Sequence, residues 1–245
     1  MTTVGIIPAR YDASRFSGKV LANIKGKPMI QHVWERAKKS RLLDDLIVAA
    51  DDDRIIKVVE GFGGKAIYTA KEHPSGTDRL REIANPLDVN IVLNIQADEP
   101  LLHTSMIDGL VSAMTDNDDV VMASLMKKID SAHQIQDPNV VKVVVDKNNF
   151  ALYFSRSPIP HIRQDDDTSL GQRKSTHYKH IGLYAYTKDF LFTFANLPPS
   201  LLEKSEKLEQ LRAVENGYKI KMIETKYDTI GVDTPADLEE VKFKL

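Results

Sequence analysis

Basic side chains cluster near the start of the sequence, in the segment PARYDASRFSGK at 8–19. Arg10, Arg15 and Lys19 lie there together with Gly18, which lets the backbone approach a ligand closely. Several cations in one glycine-containing loop suit the binding of a polyphosphate. On spacing alone, a solvated basic loop is the alternative. The segment follows the first predicted strand, and this position favours the phosphate site.

Acidic side chains at two later positions could bind a divalent cation through oxygen. Asp98 and Glu99 follow the apolar run VNIVLNIQ, and Asp233 follows the run at 230–232, which we predict to be a strand. Magnesium prefers one or two carboxylates together with phosphate oxygens and water. Asp98 and Asp233 therefore predict a magnesium site beside a bound triphosphate, although each could instead be a helix cap or a loop acid.

The segment HPSGTDR at 73–79 offers groups that could recognise a nucleobase. Ser75, Gly76 and Thr77 present hydroxyl and backbone groups suited to the edge of a base. The alternative is a turn that leads into a helix capped by Thr77. Taken without the other loops, this segment favours the turn.

The elements that would position these segments alternate between strands and helices. Apolar runs rich in β-branched residues predict strands at 4–8, 45–50, 65–69, 89–95 and 219–225. Amphipathic periodicity and capping signals predict helices at 28–40, 52–64, 77–84 and 205–216 and from Thr234 onward. This alternation indicates an α/β fold with a mixed, mainly parallel sheet and helices on both faces. Ligands of such sheets gather at the carboxyl ends of the strands.

The pattern changes in a subregion from about 120 to 187. The runs VVMASLMKKI, NVVKVVVD, FALYFSRS and KHIGLYAYT have strand composition, with few helical stretches between them. We expect this part to form an antiparallel-rich extension of one single domain that spans residues 1–245. The polar stretch at 161–178 is the candidate for a mobile loop.

The composition excludes several classes of function. The chain has 245 residues, no cysteine and a formal net charge of −2. Cysteine nucleophiles, Cys-ligated zinc and iron–sulfur clusters are therefore excluded, and the balanced charge argues against a nucleic-acid partner. No segment has the roughly 20 apolar residues that span a bilayer, and the start of the chain lacks the features of a signal peptide. We expect a cytoplasmic protein with no membrane partner.

A series of segments resembles, in the same order, the 3-deoxy-manno-octulosonate cytidylyltransferase family. They run from residue 4 to about 241 and are IIPARxxASRxxGK, GKPMIQHVWERA, HPSGTDRL, NIQxDEPL, ALYFSRxPIP, YKHIGLYAY, EKLEQLRAxExGxKI and GVDTPxDLE. The resemblance implies a Rossmann-like nucleotidyltransferase fold. It also implies that the anomeric hydroxyl of a 2-keto-3-deoxy sugar acid attacks the α-phosphate of CTP and releases pyrophosphate. With 3-deoxy-D-manno-octulosonate (Kdo) as acceptor, the product would be CMP-Kdo for lipopolysaccharide synthesis.

The resemblance implies roles for residues on the nucleotide side of the site. Those implied to be catalytic are Arg10, Lys19, Asp98 and Asp233, and the two aspartates would bind Mg²⁺. Those implied to bind the nucleotide are Arg10, Arg15, Lys19, Ser75, Gly76, Thr77, Gln96 and Asp98. The basic residues would hold the triphosphate and stabilise the departing pyrophosphate, which fits a reaction that depends on charge neutralisation. Ala97 stands where the family usually has glycine, which adds a methyl group close to the ligand.

The resemblance also implies a sugar site and a homodimer. The residues implied to bind the sugar are Gln96, Arg156, Arg163, His180, Tyr184, Glu209 and Gln210. The two arginines could bind the sugar carboxylate, and His180 and Tyr184 could contact its hydroxyl groups. Each also has a structural alternative: an ion pair for Arg156, strand packing for Tyr184 and a surface position for Glu209. The dimer contact would use the antiparallel subregion.

Other interpretations of the same residues stay open. The same chemistry on 8-amino-Kdo or a sialic acid would differ in a few contacts to hydroxyl groups. A non-catalytic, nucleotide-sugar-binding regulator could keep the fold without turnover. A metal-dependent glycosyltransferase would use an Asp-x-Asp motif, which 51–53 contains, although this segment more simply starts a helix.

Overall fold

A nine-stranded sheet organises the computed structural model, which describes residues 1–12, 16–73, 75–162 and 177–245. Its main path runs through β11 (Lys221–Glu224), β7 (Met122–Lys128), β10 (Tyr178–Thr187), β6 (Ile91–Asn94), β1 (Thr3–Ala9), β4 (Asp45–Ala50) and β5 (Ala66–Tyr68). Two further strands extend it, because β8 (Lys142–Val145) pairs with β10 and β9 (Ala151–Ser155) pairs with β8. A separate small hairpin joins β2 (Asn23–Ile24) to β3 (Lys27–Pro28).

Every strand of the main path except β10 runs in the same direction. β1 pairs in parallel with β4 and β6, β4 with β5, and β7 with β11. β10 is antiparallel to both β6 and β7, so these two strands share a direction. The predicted mixed, mainly parallel sheet is confirmed. The antiparallel pairs lie where the strand composition of the 120–187 subregion predicts them, with β6 as the one partner from outside it.

Helices cover both faces of the sheet. They are α1 (Met29–Ala37), α2 (Asp53–Gly61), α3 (Gly76–Ala84), α4 (Thr104–Thr115), α5 (Ala132–Gln136), α6 (Lys188–Asn196), α7 (Leu201–Glu206), α8 (Leu211–Glu215) and α9 (Pro235–Lys244). Ile7 of β1 shares a core with α1, α2 and α4, whereas its neighbour Ile6 shares a core with α3, α6 and α8. This alternation is the period of a strand buried on both faces. Within the described ranges, no helix is long and apolar enough to cross a bilayer.

The structure differs from the predicted helices in two ways: one predicted helix is divided, and α4, α5 and α6 lie where no helix is predicted. The helix predicted at 205–216 is divided into α7 and α8, because Lys207 adopts a left-handed conformation with φ 56° that ends α7. α4 was not among the predicted helices. Its apolar residues nevertheless recur at helical spacing: Met106, Ile107, Leu110, Val111 and Met114.

The last helix, α9, begins as its capping residues predict. The Thr234 hydroxyl accepts a hydrogen bond from the Asp237 amide, and Pro235 occupies the first turn. Leu238 and Val241 pack in a core that also contains residues of the β2–β3 hairpin and α1. This packing fixes the segment that carries Asp233 against the region that follows the first strand.

Candidate active site

Two cavities open near the carboxyl ends of the central strands and share Asp233. The first, which we call the Lys19 cavity, has a volume of about 460 Å³, and its lining includes Arg10, Lys19, Gly76, Gln96, Asp98 and Asp233. The second, the His180 cavity, has a volume of about 580 Å³, and its lining includes Glu99, Lys179, His180, Tyr184, Gln210 and Asp233. Ligands of open α/β sheets bind at this edge.

The ammonium group of Lys19 bridges the two predicted metal ligands. Its Nζ lies 2.6 Å from Asp98 Oδ2 and 3.1 Å from Asp233 Oδ1. It also donates to the Val232 carbonyl oxygen at 3.0 Å. Burial disfavours the charged form of Lys19, but the two carboxylates outweigh burial and raise its pKa. Lys19 therefore stays charged and holds both aspartates around one point.

Asp233 reaches this point without a strand. The run at 230–232, predicted as a strand, forms no strand pairing. Instead, the Val232 amide donates to the Asp98 carbonyl oxygen at 2.9 Å. The prediction that Asp233 follows a strand is therefore wrong, but a single backbone hydrogen bond produces the expected proximity to Asp98.

The paired carboxylates fit the binding of Mg²⁺. Both converge on a cation, and hard oxygen donors of this kind are the ligands that Mg²⁺ uses together with phosphate oxygens and water. Among the described residues, no group of three or more acidic or imidazole side chains is arranged to hold a metal ion. Asp98 and Asp233 would thus hold the metal jointly with a phosphate ligand rather than enclose it.

The loop after β1 is connected to the segment that precedes α3. The Arg10 guanidinium donates to the His73 carbonyl oxygen at 2.5 Å. Gly18 has φ 69°, which favours glycine, and its amide donates to the Tyr11 carbonyl oxygen at 2.7 Å. These contacts bring Arg10 and Lys19 to one cavity, as the sequence predicts. Arg15, the third cation predicted for this loop, lies outside the described residues.

The segment predicted to read a base forms the start of α3. The Ser75 hydroxyl accepts from the Asp78 amide at 3.2 Å, so Ser75 and not Thr77 caps the helix. Thr77 is fully buried, and its hydroxyl donates to Glu209 Oε2 at 3.0 Å. Gly76 lines the Lys19 cavity, together with Gln96 and the buried Ala97. Ser75 Oγ also donates to Asp78 Oδ2 at 2.7 Å, so the hydroxyl groups of both Ser75 and Thr77 are engaged within the protein.

His180 lies enclosed in the second cavity as a neutral ring. Its Nδ1 is 3.5 Å from Gln210 Nε2, and its Nε2 is 2.9 Å from Ser124 Oγ. Because the amide nitrogen of Gln210 can only donate, Nδ1 accepts and Nε2 carries the proton. Burial lowers the pKa of His180 to about 3. The ring is therefore neutral at physiological pH and is too weak a base to take a proton there.

Tyr184 and Gln210 extend the polar wall beside His180. The Tyr184 ring centroid lies 5.5 Å from that of His180. Burial, with the Glu209 and Glu99 carboxyl groups nearby, raises the pKa of the Tyr184 hydroxyl far above its usual value. The hydroxyl therefore stays protonated and can donate a hydrogen bond. The structure thus brings three of the predicted sugar residues into one cavity.

Arg156 and Glu209 are placed away from the His180 cavity. The Arg156 guanidinium donates from Nε to the Glu206 carbonyl oxygen at 2.7 Å and from Nη1 to the Pro138 carbonyl oxygen at 3.0 Å. The Glu209 carboxylate turns towards α3 and lines a different cavity with Arg212. The structural role therefore fits Arg156 better than the predicted contact with a sugar carboxylate. Arg163, the other arginine predicted to bind this group, lies outside the described residues.

Comparison with known proteins identifies the family. The cytidylyltransferase family model matches residues 4–221. The 3-deoxy-manno-octulosonate cytidylyltransferase of Geotalea uraniireducens is 51% identical to this chain, over 100% of this chain and 99% of the relative. The enzyme of the same name from Thermodesulfovibrio yellowstonii is 50% identical, over 98% of this chain and 96% of the relative. A structure of CMP:2-keto-3-deoxy-manno-octonic acid synthetase complexed with CTP aligns with a TM-score of 0.91 and 43% identity, over 100% of this chain and 98% of that one. This chain belongs to the 3-deoxy-manno-octulosonate cytidylyltransferase family.

In this cytidylyltransferase, a buried ion pair that the sequence analysis missed supports the Lys19 cavity. Arg79 of α3 is fully buried, and its Nη2 lies 3.3 Å from Asp51 Oδ2. Asp51 Oδ1 accepts from the Tyr11 amide at 3.0 Å. Burial lowers the pKa of Arg79, and Asp51 opposes this effect. The pair connects α3 to the loop after β1, and its sequence signal is an acid placed directly after β4.

A second missed residue of this cytidylyltransferase is Glu99. It follows Asp98 in the chain but lines the His180 cavity, whereas Asp98 lines the Lys19 cavity. Burial raises the pKa of Glu99 to about 7, and the charge of Asp98 adds to this effect. The signal was present in the sequence as a second carboxylate after β6, to which no role was given.

Proposed function

We propose that this protein transfers CMP from CTP to the anomeric hydroxyl of Kdo, giving CMP-Kdo and pyrophosphate. The observation that carries this proposal is the junction of the two cavities at Asp233, beside Lys19 and Asp98. A charged cavity suits a triphosphate, and a polar, enclosed cavity suits a sugar acid. The names of the relatives and the CTP-bound structure of the synthetase support the same assignment.

The roles of the individual residues follow from charge and position. Arg10 and Lys19 would bind the triphosphate and stabilise the negative charge that develops on the leaving pyrophosphate. Gly76 and Gln96 line the same cavity and would orient the nucleotide, with Ser75 fixing the first turn of α3. His180, Tyr184 and Gln210 would orient the acceptor through hydrogen bonds.

The transfer itself exchanges one P–O bond for another. The anomeric hydroxyl gives up its proton to solvent, and its oxygen forms a bond to the α-phosphorus while the bond from that phosphorus to the oxygen of the leaving pyrophosphate breaks. The neutral His180 ring does not act as the base, because its pKa is about 3. Asp98 and Asp233 would hold Mg²⁺, which would supply a Lewis acid to polarise the α-phosphate and favour ionisation of the attacking hydroxyl.

We further propose that the protein acts as a homodimer. Among the strands of the described residues β9 pairs with β8 alone. Its first amide, of Ala151, donates to the Ile220 carbonyl oxygen at 2.9 Å, and the rest of the strand forms an edge of the sheet, where the Leu152 side chain is 58% exposed. An edge strand with an apolar side chain supports pairing with a second copy. Sedimentation should show twice the chain mass of 27.5 kDa, and a species of 27.5 kDa alone at micromolar concentration would contradict the dimer. A cytoplasmic location and a role in lipopolysaccharide synthesis stay predictions from the sequence.

The first experiment measures pyrophosphate release from CTP and Mg²⁺ with Kdo, 8-amino-Kdo and N-acetylneuraminate compared side by side. We expect the highest kcat/KM with Kdo, and a preference for either other sugar would reassign the acceptor. CTP binding without turnover on any of the sugars would instead support a non-catalytic nucleotide-sugar-binding protein. Omission of Mg²⁺ should abolish turnover if the paired aspartates act through the metal.

A further inference from the structure

Consecutive carboxylates after β6 face different cavities. Asp98 lines the Lys19 cavity and pairs with the Lys19 ammonium, whereas Glu99 lines the His180 cavity. The backbone fixes this divergence, because the Val232 amide donates to the Asp98 carbonyl oxygen and the Leu102 amide donates to the Glu99 carbonyl oxygen at 3.0 Å. Glu99 is therefore held beside the cavity proposed for the acceptor and away from the triphosphate.

The carboxyl group of Glu99 is incompletely satisfied. The Thr229 side chain hydrogen-bonds to it. Its Oε2 is buried and has no hydrogen-bond partner among the residues that the structure describes. A buried acceptor left without a donor costs free energy, so buried polar atoms are almost always paired in native proteins. Because Glu99 lines a cavity that suits a ligand, its unpaired oxygen indicates that a bound ligand supplies the donor.

The nearest cation does not supply this donor. Lys179 lines the same cavity, but its Nζ donates to Asp228 Oδ1 at 2.7 Å and to the Thr229 carbonyl oxygen at 3.3 Å. Asp228 therefore balances the charge of Lys179. Two further polar residues of the wall, His180 and Gln210, bond to each other, and His180 also bonds to Ser124. Among the described residues that line this cavity, Glu99 Oε2 is the one buried side-chain polar atom without a hydrogen-bond partner.

We propose that Glu99 Oε2 accepts a hydrogen bond from one hydroxyl group of the acceptor sugar, and so makes Glu99 a specificity-determining residue of the transfer. This inference rests on the proposed function. A hydroxyl is the donor that a sugar acid offers in greatest number, and it can enter the cavity without bringing a further charge. A site built to bond a particular hydroxyl discriminates strongly against an analogue that lacks it, because its own polar group is then left unpaired.

The test is a thermodynamic cycle that combines a substitution at Glu99 with the removal of one hydroxyl group from the sugar. Wild-type protein and the Glu99→Gln variant are assayed with Kdo and with a series of analogues that each lack one hydroxyl group. With the wild type, we expect one analogue to lose about 10- to 100-fold in kcat/KM, the range for leaving a buried polar group without its hydrogen-bond partner. With the variant, kcat/KM for Kdo should fall by a similar factor relative to the wild type. Removal of that same hydroxyl group from the sugar should then lower the kcat/KM of the variant no further.

Several controls separate this contact from other effects. Glu240→Gln removes an exposed carboxylate of α9 and should behave as the wild type. Direct binding of CTP with Mg²⁺ should be the same in the wild type and Glu99→Gln, which excludes an effect through Asp98. If Glu99→Gln does not fold, Glu99→Asp keeps the carboxylate but withdraws its oxygens by one methylene group, and the same cycle applies.

The outcomes distinguish this inference from the proposed function. If the kcat/KM of every analogue relative to Kdo falls by the same factor in the variant and in the wild type, Glu99 accepts no hydrogen bond from the sugar and the inference is wrong. Weakened binding of CTP with unchanged discrimination among the sugars would also overturn it. If the wild type itself releases no pyrophosphate with Kdo, the proposed function fails instead.

Discussion

The Lys19 cavity and the His180 cavity share Asp233, yet their polar groups are arranged in different ways. In the first, charged groups from distant parts of the chain meet in direct ion pairs, with Lys19 between Asp98 and Asp233. In the second, which Lys179 and Glu99 also line, the buried His180 and Tyr184 side chains of β10 are neutral: His180 lacks a proton on Nδ1, and Tyr184 keeps the proton on its hydroxyl. One cavity is organised by charge and the other by hydrogen-bond direction.

This difference matches the demands of the two substrates in the proposed reaction. Transfer of a nucleotidyl group depends on neutralising and positioning negative charge. Selection among similar sugars depends on matching individual donors and acceptors, which neutral groups with fixed tautomers can do. We therefore expect substitutions in the Lys19 cavity to affect turnover with any sugar. Substitutions in the His180 cavity should change the choice of sugar.

The largest expected effect is the loss of a charge at the junction. Asp98→Asn should lower kcat by about 1,000-fold, because it removes one of two carboxylates that would hold Mg²⁺. The fold should remain, since the backbone hydrogen bond from Val232 to the Asp98 carbonyl oxygen does not need the carboxylate. Pyrophosphate release and thermal unfolding measure the two effects.

Asp116→Asn, at the exposed end of α4, is the matched control. Near-normal turnover with unchanged Mg²⁺ dependence would remove Asp98 from the catalytic machinery.

The second prediction concerns the ion pair that supports the Lys19 cavity. Arg79→Met should destabilise the protein by about 3 kcal/mol, because it leaves Asp51 without its buried partner. The same change should raise the KM for CTP more than the KM for Kdo, since Asp51 also fixes the Tyr11 amide in the loop after β1. Urea unfolding and steady-state kinetics provide the measurements.

The double variant Asp51→Asn with Arg79→Met tests whether the effect comes from the unpaired charge. We expect it to recover part of the lost stability, because no buried carboxylate is then left alone. Equal changes in both KM values would mean that the pair supports the whole fold rather than the Lys19 cavity.

The sequence predicts those parts of the site that depend on local signals. Apolar runs and caps locate β1, β4, β6 and α9, the residues after the strands include Lys19 and Asp98, and His180 lies within the predicted strand KHIGLYAYT. Non-local contacts are not visible in such patterns. The position of Asp233 depends on a hydrogen bond between Val232 and Asp98, which are far apart in the chain.

The contacts of individual side chains are equally invisible in local patterns. Arg156 has the residue type of a carboxylate ligand, but its donors are used by carbonyl oxygens of other segments. Glu99 was left without a role because its burial and its unpaired oxygen are properties of the folded cavity. Local patterns therefore identify where chemistry is possible, and packing decides which side chains remain available for it.

A third prediction uses acid to test whether the buried His180 ring is neutral. The folded-state pKa of His180 is about 3, lowered from 6.5 by burial, so below about pH 6.5 the unfolded chain binds a proton that the folded protein does not. Stability is therefore lost as pH falls. Between about pH 7 and pH 5 this group should account for a loss of about 2 kcal/mol. His180→Gln should abolish that part of the loss, as measured by urea unfolding at both pH values.

The control for this prediction is His133→Gln, which removes an exposed imidazole of α5. It corrects for any general consequence of removing a histidine. An acid dependence of His180→Gln that equals that of the wild type would mean that the His180 ring is protonated in the folded protein. The hydrogen-bond directions assigned to the His180 cavity would then be wrong.

The smallest expected effect compares two helix caps. Ser75→Ala and Thr187→Ala each remove a side chain that accepts from the backbone of the first turn, in α3 and α6. Each should cost about 1 kcal/mol of stability.

The two helices begin at different places in the fold: α6 begins beside Ile91, at the amino end of β6, whereas α3 begins at Gly76 in the wall of the Lys19 cavity. Ser75→Ala alone should therefore raise the KM for CTP, by a few-fold, and should leave the ranking of sugars unchanged. A changed ranking would show that the two cavities do not select their substrates independently.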